Sequence, residues 1–269
     1  MSTALDTLFT QLKVENRAAL IGYMTAGFPT NEGCVEVIKA MIDGGVDAIE
    51  IGFPYSDPVM DGAVIQEASE QALRQGTTAQ DVMRTVGAVS ALAPTLVMTY
   101  WNPIERFGVE NFVRELTAHG GSGTITPDLT IEESGPWLQA TNDHAANRVY
   151  VVAQSTSDAR LKQVADASSG FIYAASLMGV TGTRTTISSG AKELVTRLRA
   201  VTDKPVAVGL GVSTPEQAKE VAAYADGVIV GSAFIKALQQ APDLATGIAQ
   251  VRELALKLAT AIKEEAISR

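Results

Sequence analysis

The chain has 269 residues, 46% hydrophobic and 19% charged, with a formal net charge of −9. That length accommodates two small domains or one large α/β domain, with apolar content ample for a sizeable core. The negative charge and the lack of any Lys/Arg run argue against nucleic acid or an anionic membrane as the main partner. A single cysteine, Cys34, excludes an intrachain disulfide and a cysteine-cluster metal site. It shares a helical face with Ile38, Met41 and Ile42 and is expected in the core. Residues 1–16 lack the pattern of a signal peptide and no segment approaches a membrane span, so a cytoplasmic protein is expected.

In chain order, an amphipathic helix carrying Leu5, Leu8, Phe9 and Leu12 comes first. A strand over 18–26 and a helix over 31–43, ended by Gly44-Gly45, follow. Next come a strand at 48–52, helices at 63–73 and 79–92, a strand at 95–101 and a helix at 109–118. The pattern continues with a strand at 123–128, a helix near 131–141, a strand at 148–153 and a helix at 157–167. Strand 170–176, a helix near 191–201, strand 205–211 and helix 215–224 come after. Strand 227–231, a helical turn at 234–238 and a helix over 243–262 end the chain. In that last helix Leu244, Ile248, Val251, Ala255, Leu258 and Ile262 recur at steps of four and three, which predicts a buried stripe.

These are eight strands, each followed by a helix. Continuous apolar strands are covered on both faces, as in a parallel sheet. Eight such units predict an α/β fold, a closed (β/α)8 TIM barrel with an extra N-terminal helix, in one domain spanning 1–269. An open doubly wound sheet is the competing architecture. Spacing between units is uneven, with extended loops after strands two and six, where barrels place lids and working loops.

Residues 46–66, VDAIEIGFPYSDPVMDGAVIQ, hold the densest signal. Glu50 stands among isoleucines in a buried strand, the chain turns through Gly52, Pro54 and Pro58, and Asp61-Gly62 precedes a helix. An ionised carboxylate is costly among apolar side chains, so packing alone does not account for Glu50. A second cluster places glycines before helix starts: Gly209 and Gly211 close strand seven, and Gly231 with Ser232 closes strand eight. Glycine lets a backbone approach a ligand, helix N–H groups attract anions, and barrels bind phosphate at these two loops. The glycines and hydroxyls of 179–186 suit a closing loop or a solvated one, and Tyr173 is either a mouth residue or core. His119 and His144 stand near helix ends as surface residues, which disfavours a histidine metal site or a Ser-His-Asp triad. Asp128 either faces the mouth or caps the following helix, and Trp101 and Trp137 show no stacking partner.

IEIGFPYSDPVMDG followed by AVIQ resembles the signature of the tryptophan synthase α-subunit family. MTAGFPT, NPIERFG, GVTG, GLGVS and VGSAFIK extend the likeness in collinear order over nearly the whole chain. The resemblance implies retro-aldol cleavage of indole-3-glycerol phosphate to indole and glyceraldehyde 3-phosphate, without a cofactor in this chain. It makes Glu50 the general acid–base and Asp61 the second catalytic carboxylate. Tyr23 and Tyr173 then line the pocket, Thr181 on the loop after strand six bonds Asp61 when that loop closes over substrate, and Gly182, Gly211, Gly231 and Ser232 contact phosphate. Tyr55, Asp57, Pro58, Asn102 and Pro103 would meet a β subunit that carries pyridoxal phosphate, in an α2β2 heterotetramer. Three departures stand out: Ala63 and Gln154 replace usual prolines, and 183–186 varies. Other sugar-phosphate aldolases or isomerases, or a non-catalytic barrel that activates a partner, are the alternatives. A Schiff-base aldolase is disfavoured because the lysines lie on helices or at the non-catalytic end. The pair Glu50 and Asp61 speaks against a purely non-catalytic barrel.

Overall fold

The fold is taken from a computed structural model that describes residues 2–175, 189–209, 211–265 and 267. Among them, eight parallel strands close into a barrel in chain order. These are β1 (Ala19–Thr25), β2 (Ala48–Gly52), β3 (Thr95–Met98), β4 (Gly123–Thr126), β5 (Asn147–Val152), β6 (Ile172–Ala175), β7 (Val206–Gly209) and β8 (Gly227–Val230). The helices before β4 are α1 (Ala4–Glu15), α2 (Asn31–Asp43), α3 (Ala63–Arg74), α4 (Ala79–Val89), α5 (Trp101–Phe107) and α6 (Val109–Ala118). Those after it are α7 (Gly135–Asp143), α8 (Asp158–Ala167), α9 (Ser189–Arg199), α10 (Pro215–Ala222), α11 (Ser232–Gln240) and α12 (Leu244–Lys263). Strand β1 pairs with both β2 and β8, which makes the sheet closed rather than open.

Local sequence explains most helix starts. Thr3, Thr78 and Thr214 form capping boxes with Asp6, Asp81 and Gln217, and Thr30, Ser157 and Asp243 accept a first-turn N–H. Helix α1 seals the N-terminal end of the barrel. Leu5, Phe9 and Leu12 are buried there, and the Phe9 and Phe171 rings lie 5.7 Å apart. Asn147 Nδ2 donates to Thr3 Oγ1 at 2.6 Å, tying α1 to β5. Beside it Arg17 grips Asp47 through two N–H donors at 2.8 and 3.0 Å.

Register then decides what faces the barrel interior. Alternate side chains point to opposite faces, and neighbours in parallel register point the same way. Tyr23 lies beside Glu50, Met98 beside Ile125, and Val151 beside Tyr173. The residue before Tyr23, Gly22, faces outward, where an added Cβ would meet Met41 and Val46. Small residues stand beside the large inward ones: Ala207 pairs with Tyr173 on one side and Gly227 on the other.

The structure departs from sequence expectation at several points. Strand three stops at Met98, and Trp101 instead opens the short helix α5. Asp128 caps α5 rather than the helix that follows it in sequence: both its carboxylate oxygens accept the Trp101 N–H, at 2.9 and 3.1 Å. Trp101 and Trp137 prove to be each other's partners, edge to face at 5.9 Å. The long connection after β2 does hold the two expected helices, α3 and α4, beyond the loop that carries Asp61. The expected turn at 234–238 is a full helix, α11. In α12, Val251, Ala255, Leu258 and Ile262 are buried as expected, but Ile248 is half-buried and Leu244, at the first turn, is 41% exposed. Cys34 is core, wholly buried, and burial pushes its thiol up to about 12.

Candidate active site

At the C-terminal end of the barrel lies a cavity of about 590 Å³, mouth included, within the size range of small-molecule pockets. Tyr23, Glu50, Asp61, Tyr173, Gly211, Gly231 and Ser232, drawn from far-separated parts of the chain, all line it. The rest of the wall is apolar: Met60, Ile65, Met98, Ile125, Val151, Val212 and Ile229. Sequence reading did not single these out. For Met98, Ile125, Val151 and Ile229 the signal was period two along their own strands, and it became usable only once the register was fixed; Met60, Ile65 and Val212 come from loops and a helix start.

Glu50 rises from the middle of β2 and is 3% exposed. Its Oε2 meets no hydrogen-bond partner among the described residues. Burial first, then the nearby Asp61 charge, raises its carboxyl from an ordinary 4.5 to about 8. Asp61 comes from the loop above, immediately before α3, and is 9% exposed. Burial raises it from 3.8 to about 6, opposed by a hydrogen bond from the Tyr100 hydroxyl. The two environments therefore push the acids to different values. Near pH 7 Glu50 holds a proton and Asp61 does not, the division of labour that an acid and an anionic partner require. Tyr100, which sequence reading passed over, also accepts the Met60 N–H at 3.0 Å and so fixes the loop that carries Asp61.

Two tyrosines stand on either side of the acids by one repeated device. An added Cβ at Gly52 would lie 2.0 Å from the Tyr23 hydroxyl, and at Gly209 it would lie 2.1 Å from that of Tyr173. Each ring leans over a glycine on the next strand, a close approach that only the missing side chain allows. The Tyr23 hydroxyl also lies 3.3 Å from Thr25 Oγ1.

In the same cavity wall, α11 starts at Ser232 with Gly231 as its N-cap and no side-chain cap. Its first N–H groups and the Ser232 side chain border the cavity, and the helix dipole there favours an anion. Gly211, at φ 104°, takes a left-handed conformation at the end of β7. Among the described residues the lining has no Lys or Arg, so an anion would be held by backbone dipoles and hydroxyls. No group of His, Cys, Asp and Glu that could hold a metal occurs among the described residues. Thr181 and Gly182, expected over the pocket, lie outside the described residues, as does the variable stretch 183–186.

The five residues expected at a partner surface fall on the loop after β2 and on α5. Asn102 Nδ2 donates to the Tyr55 hydroxyl at 3.0 Å, so these two segments meet. Asp57 and Asn102 are exposed, Tyr55, Pro58 and Pro103 half-buried, and Val59 between them is 70% exposed. Of the two departures among the described residues, Ala63 is the first residue of α3, where Pro is well tolerated. Gln154 packs over Gly190 at the start of α9, and Arg197 donates to its carbonyl at 3.1 Å.

Fold and site define a class: a (β/α)8-barrel enzyme that places two carboxylates of unlike proton affinity against an apolar pocket with an anion-binding rim. A family model described as tryptophan synthase alpha chain matches residues 9–263, and the chain belongs to that family. It is 54% identical to the tryptophan synthase alpha chain of Streptomyces coelicolor over 97% of each chain. It is 52% identical to that of Thermobifida fusca, over 98% of this chain and 99% of the relative. Among solved structures, Mycobacterium tuberculosis tryptophan synthase superposes with a TM-score of 0.91 at 46% identity, covering 98% and 99% of the two chains. A Pyrococcus furiosus structure, described as the tryptophan synthase a2b2 complex, superposes with a TM-score of 0.82 at 33% identity, over 90% of this chain and 98% of that one. The alpha reaction, a lyase step, is the standard function of this family, and the pyridoxal phosphate of tryptophan synthase belongs to the beta chain.

Proposed function

We propose that Glu50 and Asp61 carry the retro-aldol cleavage of indole-3-glycerol phosphate to indole and glyceraldehyde 3-phosphate. The observation that carries this reading is the carboxylate pair itself, buried in one apolar pocket with one member raised to about 8 and the other to about 6. Cleavage begins when protonated Glu50 gives its proton to indole C3, which makes the ring a leaving group. Asp61, ionised, accepts the indole N–H and stabilises the positive charge that develops there. Glu50, now a carboxylate, takes the proton of the C3′ hydroxyl as the bond from C3 to C3′ breaks. The electrons of that bond return to the ring, neutral indole departs, and Glu50 ends the cycle protonated.

Met98, Ile125, Val151 and Ile229 supply an apolar wall for the indole ring, flanked by Tyr23 and Tyr173. The phosphate belongs at Gly211, Gly231 and Ser232, on the helix start that no side chain caps. The surface strip formed by Tyr55, Asp57, Pro58, Asn102 and Pro103 is the face for the β subunit, in an α2β2 assembly that receives the indole. Residues 1–269 act as one catalytic domain, working in the cytoplasm; no helix among the described residues is long and apolar enough to cross a membrane.

Indole release from indole-3-glycerol phosphate, with and without β subunit, tests the assignment. The wild type should turn over slowly alone and much faster with the partner, and Glu50→Gln should lose nearly all activity in both settings. An unchanged rate in Glu50→Gln would refute its role.

A further inference from the structure

Tyr23 joins the two ends of the cavity. An added Cβ at Gly231 would lie 3.2 Å from Tyr23 Cβ and 3.3 Å from Cγ and Cδ1, so the root of the ring stands against the anion-binding rim. Its tip fills the side-chain space of Gly52, where an added Cβ would lie 2.3 Å from Cζ and 2.0 Å from the hydroxyl oxygen. Gly52 stands two residues beyond Glu50 on β2, at the next inward position, which places the phenol oxygen one layer above the acid. Thr25 Oγ1, itself buried, is its hydrogen-bond partner there among the described residues, at 3.3 Å. A phenol both donates and accepts, so this one contact leaves hydrogen-bonding capacity for a ligand. Burial first, then the Asp61 charge and more weakly that of Glu50, hold the phenol well above its ordinary 10, so it stays an O–H donor.

The substrate follows the same path. With its phosphate on Gly231 and Ser232 and its reacting carbon beside Glu50, the glycerol chain runs along the Tyr23 ring. The phosphate meets the helix start, the C3′ hydroxyl meets Glu50, and the indole N–H meets Asp61. These assignments leave the C2′ hydroxyl, midway along the chain, without a partner, and burying it so would cost affinity. We propose that the Tyr23 hydroxyl bonds the C2′ hydroxyl of indole-3-glycerol phosphate and makes Tyr23 the residue that distinguishes a glycerol chain from its deoxy counterpart. This rests on the reading of Glu50 and Asp61 as the acids that cleave this substrate. Thr25 is a positioning residue, holding the phenol oxygen at the acid end of the cavity. Tyr173 is the other phenol on the wall, but its hydroxyl leans over Gly209 on β7, which neighbours neither β1 nor β2.

The test crosses two substrates with a set of variants. Indole release is measured from indole-3-glycerol phosphate and from the analogue that lacks the C2′ hydroxyl, for the wild type, Tyr23→Phe, Thr25→Val, Tyr173→Phe and Glu50→Gln. In the wild type, loss of the C2′ hydroxyl should raise KM about tenfold, the scale of one neutral hydrogen bond, with kcat within about twofold. Tyr23→Phe, which keeps the ring over Gly52, should show that same rise with the full substrate and no further rise with the analogue. Thr25→Val should narrow the discrimination about threefold, and Tyr173→Phe should leave it intact. Equal KM values for the two substrates in the wild type, undiminished discrimination in Tyr23→Phe, or its loss in Tyr173→Phe would each overturn the assignment. In all three cases an inactive Glu50→Gln upholds the cleavage reading. Full activity in Glu50→Gln would overturn both.

Discussion

Glu50→Gln should uncouple stability from pH in a window that the wild type cannot escape. In the folded chain Glu50 keeps its proton to about 8, whereas in the unfolded chain it ionises at the ordinary 4.5. Between those values the folded state binds more protons than the unfolded one, so stability is full below 4.5 and falls as pH rises through 8. At roughly 1.4 kcal/mol per pH unit, the full window corresponds to about 5 kcal/mol, a large share of a domain's net stability. Asp61 acts in the same direction but over a lower window, from 3.8 to about 6. Above pH 6, therefore, Glu50 alone drives the decline within this pair. Urea unfolding of the isolated chain at fixed ionic strength, from pH 5 to 9, reads the effect directly. From pH 6 to 8 the wild type should lose about 2 kcal/mol that Glu50→Gln retains. The buried amide of Gln costs a constant amount at every pH, which displaces the mutant curve without changing its slope. Two parallel curves above pH 6 would show that Glu50 does not hold its proton there and would remove it from the acid's role.

The catalytic rate should follow a bell-shaped profile, rising as Asp61 ionises near 6 and falling as Glu50 loses its proton near 8, as kcat/KM measurements across pH would show. Asp61→Asn should cut kcat by about 100-fold or more with KM changed little, the pattern of an interaction made mainly in the transition state. Gly209→Ala forces the Tyr173 hydroxyl out of its place 2.1 Å from the new Cβ. Because the obstructing atom is the end of a side chain, the variant should fold at a cost of about 1 kcal/mol while KM rises several-fold, measurable by thermal melting and initial rates. Gly123→Ala meets backbone instead, with its Cβ 2.2 Å from the Asn147 carbonyl oxygen between β4 and β5. That clash cannot be relieved by a rotamer, so a loss of about 3 kcal/mol is expected in urea titration.

Much of this molecule was legible from local patterns. Runs such as Ala48–Gly52 carry their burial on both faces in their own composition, and helix starts such as Thr30 and Thr214 announce themselves by capping chemistry. Glu50 was conspicuous because a carboxylate among isoleucines costs free energy that packing alone does not return. Other features have no local trace. That Asp128 caps α5, that Trp101 meets Trp137, and that Tyr100 bonds Asp61 depend on which strands stand next to one another. So do the two tyrosines leaning over Gly52 and Gly209, since each pairing spans adjacent strands in a particular register. Periodicity reports which face of an element is buried, and chain chemistry reports where it begins. Neither carries the register of one strand against the next, and it is register that brings two acids of different proton affinity into a single pocket. The residues that can do chemistry were written in the chain, but their proton affinities arise from the closed barrel, through burial and the field of groups distant in sequence.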